Sequence, residues 1–144
     1  MVAIKQISIF MENKPGRMAR VAKALADASV NIRALTIAEA GDFGVVRMVV
    51  DDTENGYKVL HGYGFTVSET DVLAVEIRDV PGGLYEIMNT LSANSINVDY
   101  AYAFVTTKVE QAMLILRVDD LNGATNVLSE AGVKIATREE IQKI

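Results

Sequence analysis

Between Lys5 and Met11 the apolar residues Ile7, Ile9 and Met11 fall on every second position, the period of one strand face. The alternation ends in Glu12-Asn13-Lys14-Pro15-Gly16, and the spacing then changes. Met18, Val21, Ala22 and Leu25 make an apolar stripe along a helix. The same succession returns 66 residues later: Leu73, Val75 and Ile77 alternate, Arg78-Asp79-Val80-Pro81-Gly82 interrupts, and Leu84, Ile87, Met88 and Leu91 form the stripe. Pro15 and Pro81 are the chain's two prolines, and each is followed by glycine.

The correspondence extends along the chain. Ser29 and Asn31 match Ser95 and Asn97; beyond the middle the offset becomes 68 because of an insertion near Thr106–Gln111. Val46, Met48, Val50, Asp51 and Asp52 then match Leu114, Leu116, Val118, Asp119 and Asp120, and Leu60 matches Leu128. A repeat of this length signals duplicated domains and not a solenoid. Each copy reads β-α-β-β-α-β. In the first, the pattern predicts strands near 4–12, 31–39, 44–51 and 64–69, with helices near 16–29 and 52–62. In the second, it predicts strands near 71–78, 97–106, 111–118 and 133–138, with helices near 82–94 and 120–131. Gly41, Asp42 and Gly44 mark the first hairpin turn, and Thr106–Gln111 a longer second one. The expectation is an α+β chain of two ferredoxin-like domains, 1–69 and 70–144, without a flexible linker. Such a unit carries both helices on one face of an antiparallel sheet. Tyr100, Tyr102 and Phe104, or Val45, Val49, Met113 and Ile115, put apolar groups on the other face, which predicts cover from the other copy or a second chain.

Composition narrows the function. The net charge is −5 and no basic face is visible, which argues against a nucleic-acid partner. Cysteine is absent, so disulfides and thiolate metal sites are excluded. The stretches Val45–Val50 and Ala112–Val118 are strand-length and interrupted by arginine, so neither predicts a membrane span. The N-terminus lacks the long apolar stretch of a signal peptide, and a cytoplasmic location is the expectation. Nucleophile elbow, phosphate loop, dinucleotide fingerprint and zinc spacing are all missing, so neither catalytic residues nor cofactor nor metal is predicted.

The stretch MENKPGRMARVAKALADASVNIRALTIAE resembles the opening half of an ACT domain, and VEIRDVPGGLYEIMNTLSANSINVDYAYA is a more divergent match. The resemblance covers nearly the whole chain as two tandem ACT domains. It implies a regulatory protein that binds a small molecule, most often an amino acid, where two domains meet. The ligand residues it implies are Asn13, Lys14, Pro15, Gly16 and Asn31 in the first copy and Asp79, Val80, Pro81, Gly82 and Asn97 in the second. The chemistry agrees. Glycine lets backbone N–H groups approach a ligand, and the helix start behind it suits a carboxylate. Asn13 or Asp79 can accept from an α-ammonium, and Asn31 or Asn97, from its own copy or across an interface, offers donors and an acceptor.

Residue types alone equally allow that Asn13 and Asp79 merely cap a helix, that Pro-Gly is only a turn, and that the asparagines serve left-handed backbone. Where many ACT domains have glycine after the first helix, this chain has Ser29 and Ser95; Asn94 is the candidate for making the second turn. Lys14 and Arg17 make the first corner more attractive to a carboxylate than the second, with Val80 and Gly83. His61 reads as a solvent-facing helix residue, and Asp51-Asp52 and Asp119-Asp120 as helix caps rather than metal ligands. The functional expectation is an amino-acid-binding regulator, a homo-oligomer, most simply a dimer, acting on a metabolic enzyme. The rival is a non-binding oligomerisation or docking module.

Overall fold

The computed structural model describes residues 3–104 and 111–143, which form six antiparallel strands and five helices. Lys5–Thr70 make one compact unit, and the residues from Asp71 onward, with Ile4, make another. The first holds β1 (Ile4–Glu12), α1 (Arg17–Asp27), β2 (Ile32–Ala40), β3 (Phe43–Val50) and α2 (Thr53–Gly62). Then comes β4 (Thr66–Arg78), a single strand of 13 residues where the pattern predicts two. The polar run Ser68-Glu69-Thr70-Asp71 looks like a break, but without glycine or proline nothing in it turns an extended backbone. The chain continues through α3 (Gly83–Ala93), β5 (Val98–Phe104), β6 (Gln111–Val118), α4 (Leu121–Glu130) and α5 (Arg138–Gln142).

The first unit has strand order β2-β3-β1, with β4 beside β1. The second has β4-β6-β5, and the expected strand over 133–138 shrinks to a bridge: Val75 pairs with Ile135, while Glu76 N–H donates to Lys134 and Ala136 N–H to Ala74. Both are ferredoxin-like. Repeat-equivalent residues occupy equivalent registers. Ile7 and Ile9 face Met48 and Val46; Leu73 and Val75 face Leu116 and Leu114. In the first unit these side chains pack with Val21, Leu25 and Leu60, in the second with Ile87, Leu91 and Leu128. Complete burial of each such side chain stabilises the fold by about 1.5–3 kcal/mol. Even the irregularities recur: the register of β2 slips between Ile32 and Ala34, and that of β5 between Val98 and Tyr100.

On the opposite sheet faces, Val49, Tyr102, Phe104, Met113 and Ile115 are buried, and Val45 and Tyr100 half-buried. The hairpin turn expected at Thr106–Gln111 lies outside the described residues except for Gln111, which opens β6. Helix α5 was not anticipated. Its signal is Thr137-Arg-Glu-Glu140, a reciprocal capping box in which Thr137 accepts from the Glu140 amide and Glu140 accepts from the Thr137 amide, both at 3.2 Å. Ile141 on this helix is buried.

The turns after α1 and α3 correct another expectation. Ser29 and Ser95 themselves take the left-handed conformation, each at φ 58°, while Asn94 sits at φ −109° as a C-cap. A side chain there costs about 1 kcal/mol, of which glycine's extra freedom in the unfolded chain would take back about half. Ser29→Gly and Ser95→Gly should therefore each raise stability by about 0.5 kcal/mol, read as a higher urea midpoint at unchanged slope. Ser29→Val should lower it by about 1 kcal/mol or more. A glycine variant with a lower midpoint would show that the serines are held by something other than tolerance.

Candidate functional site

The two Pro-Gly corners are built alike. Gly16 and Gly82 occupy the N-cap positions of α1 and α3 at φ 87° and 90°, and neither helix receives a side-chain cap. This removes the capping alternative for Asn13 and Asp79. A Cβ placed on Gly16 or Gly82 would meet nothing within 4 Å, so the glycines are required by backbone angle and not by crowding. The neighbouring Gly83 is different: a Cβ there would lie 2.0 Å from the carbonyl oxygen of Arg78. Arg17 holds that position in the first unit, so the second corner is closed more tightly on its own strand.

Asn13 ties the first corner to the β2–β3 turn. Its backbone N–H donates to Asp42 at 2.8 Å, and its Nδ2 donates to Gly41 at 3.1 Å. Lys14 and Arg17, expected to draw a carboxylate, already have one. Lys14 Nζ lies 2.6 Å from Glu12 Oε2, and Arg17 Nη2 lies 2.9 Å from Glu12 Oε1. Lys14 first, through its hydrogen bond and charge, and Arg17 after it hold the Glu12 carboxyl below its usual range. All ten residues expected to contact ligand are exposed.

Asn31 and Asn97 do not share the corner of their own unit. The Asn31 amide donates to Asp51 Oδ1 at 2.9 Å, and the Asp51 amide returns a bond to the Asn31 carbonyl at 3.0 Å. Asn97 and Asp119 repeat this at 3.0 and 3.2 Å. These pairs lock the start of one strand to the end of the next, at the far end of α1 and α3. An 11-residue helix is about 16 Å long, so Asn31 is out of reach of a ligand at Gly16 within one unit. Of the paired carboxylates, only Asp52 and Asp120 cap helices, accepting from Asn55 at 3.2 Å and Gly123 at 2.9 Å. His61 is exposed and stacks on Tyr57.

Each unit also has a cleft beside its corner. The first, about 280 Å³, lies between the end of β1, the start of α1 and the α2–β4 turn; the second, about 260 Å³, is its repeat equivalent. None of the ten expected residues lines either cleft. Arg20, Tyr63 and Phe65 of the first cleft were missed because the α2–β4 turn is remote in sequence from the corner. Among the described residues no helix is long and apolar enough to cross a membrane, and no cluster of three potential metal ligands forms.

Residues 2–144 match the family model described as an ACT domain pair. Among solved structures, protein BT0572 from Bacteroides thetaiotaomicron is 35% identical, with 99% of this chain and 98% of that one covered and a TM-score of 0.93. The regulatory subunit of aspartate kinase from Thermus thermophilus, solved ligand-free, is 16% identical over 88% of this chain and 91% of that one, with a TM-score of 0.67. Its counterpart from Thermus flavus is 14% identical over 92% and 94%, with a TM-score of 0.62. No protein of curated function matches the sequence.

Glu12 links the first corner to acid stability. A carboxyl more acidic in the folded than in the unfolded chain contributes stability that is full above its unfolded pKa and is lost as pH falls through the folded one. Glu12→Gln should therefore melt below wild type near neutrality, and the two melting curves should converge on acidification below pH 4.5. The pair is solvent-exposed, so the difference should shrink in high salt. A pH-independent difference would show that Glu12 acts through packing.

Proposed function

The chain belongs to the family of ACT domain pairs, and on that footing we propose that it is a regulatory protein binding an amino acid or similar small zwitterion, without catalysis of its own. Residues 1–69 and 70–144 are its two ACT domains in this reading. The ligand carboxylate sits before Gly16 or Gly82. A helix start leaves its first-turn amides without intrahelical carbonyls to meet, here those of Met18 and Ala19 in one unit and Leu84 and Tyr85 in the other. The observation that carries the reading is the duplicated, uncapped, glycine-turned helix start at an exposed corner. Asn13 is oriented by the β2–β3 turn, and its side-chain oxygen suits an ammonium.

Because Asn31 and Asn97 stand at the opposite end of their own units, their place in the site is across an interface, supplied by another ACT domain. This favours a homodimer or closer assembly in which ligand binding alters how domains associate. Such coupling requires two arrangements with different affinity for the ligand. The likeness to regulatory subunits of aspartate kinase supports a separately encoded metabolic enzyme, in the cytoplasm, as the regulated partner.

Calorimetric titration with the twenty proteinogenic amino acids tests the reading. At least one should give saturable heat, and Asn31→Ala should weaken it about tenfold or more, the effect of one hydrogen bond to a charged group. Lys14→Glu, which sets a second acid beside Glu12, should weaken it further. Gly16 is a poor probe, since any side chain there strains the backbone whatever the ligand does. Silence from all twenty would defeat the sensor reading and leave an oligomerisation or docking module.

A further inference from the structure

The second unit serves as an internal control for the first. The two clefts share backbone position and size, so the fold alone accounts for their existence. Their linings differ at repeat-equivalent positions. Where the first has Phe10, Arg17, Arg20, Tyr63 and Phe65, the second has Glu76, Gly83, Glu86, Ala131 and Val133. The fold is therefore made without aromatic rings or helix-borne arginines at this place, and the first unit carries them at a cost in solubility. Phe10, Phe43 and Tyr63 are 54%, 48% and 47% exposed.

We propose that the first unit's cleft is a binding site for a small aromatic carboxylate, separate from the Pro-Gly corner. Arg17 and Arg20 stand three residues apart, on one helix face, and both line the cleft. The guanidinium carbon of Arg20 lies 5.3 Å from the centroid of the Phe65 ring, and its Nη2 donates to the Tyr63 carbonyl at 3.4 Å. Held over the ring and by that carbonyl, the guanidinium keeps further N–H donors for a carboxylate. Phe10 and Phe43 stack on each other at 5.9 Å, an apolar wall for the flat part of the ligand. Glu12 also lines the cleft, but Lys14 and Arg17 hold it, so the local balance stays cationic. The volume, about 280 Å³, suits a single ring with a short acid chain. The α-ammonium that distinguishes an amino acid has no assigned partner here.

The test uses the whole chain and three probes: 3-phenylpropionate, propionate and 2-phenylethylamine, followed by calorimetry or amide chemical shifts. 3-Phenylpropionate should saturate with a Kd below about 1 mM; the acid without the ring and the ring without the acid should bind about tenfold more weakly or less. Arg20→Glu and Phe65→Val install the residues of the second cleft, and each should weaken 3-phenylpropionate about tenfold while melting cooperatively. Arg20→Gln is the milder variant should the charge reversal disturb folding. Glu86→Gln, in the second cleft, should leave affinity unchanged. Absence of saturation up to about 10 mM overturns the proposal, and so does binding indifferent to both Arg20→Gln and Phe65→Val. Chemical shifts confined to Gly16–Ala19 would also overturn it, by assigning the acid to the corner. Loss of the amino-acid response in Asn31→Ala with 3-phenylpropionate binding intact separates this site from the corner.

Discussion

The constraint on which the rest depends is a left-handed residue between strand and helix. Gly16 and Gly82 take φ near +90°, a value that costs any residue with a side chain about 1–2 kcal/mol. That one backbone state, four residues beyond the ends of β1 and β4, starts α1 and α3 without a capping side chain. A helix begun by an aspartate or serine spends its first amides on that residue, as α2 and α4 do on Asp52 and Asp120. A helix begun by glycine offers those amides no capping side chain. Structural economy and capacity for an anion thus pull in opposite directions, and the chain resolves the conflict the same way twice.

Charge around the corner follows from the strand that leads into it. Glu12 is the last residue of β1, placed opposite Phe43 by the sheet register. It therefore stands within reach of Lys14, two residues beyond it, and of Arg17, at the start of the helix. The carboxylate holds the two cations in place and subtracts from the positive field they project. In the second unit Arg78 holds the strand-end position and Asp79 the next, so the signs there are rearranged as well as reduced.

Local patterns carried most of the fold. Alternation and helical stripes located both cores because every residue in them answers to one period and one neighbour surface. What escapes is non-local or hidden by the repeat. Matching the two copies assigns separate strands to 64–69 and 71–78, whereas nothing in the backbone chemistry of Ser68–Asp71 interrupts a strand. The resemblance implies both Asn31 and Gly16 at the ligand, from one copy or across an interface; only the structure shows that an intervening helix of about 16 Å sets them at opposite ends of one unit. Arg20 and Phe65 belong to one cleft, 45 residues apart in the chain, and nothing local to either announces it. The Thr137–Glu140 capping box was fully local and legible; it was obscured by the strand period assigned to the residues before it.

Duplication explains how such divergence is tolerated. Positions that face the cores keep their character across the repeat: Leu25 and Leu91, Met48 and Leu116, Leu60 and Leu128 are all buried and apolar. Exposed positions around the clefts, Phe10 and Tyr63 among them, have no such duty, since a cleft of nearly the same size persists with Glu76 and Ala131 in their places. Stability therefore constrains one set of residues and leaves the other free to acquire chemistry. Two copies of one fold can then hold two different surfaces at equivalent places, and the difference between them, read position by position, separates what folding requires from what it does not.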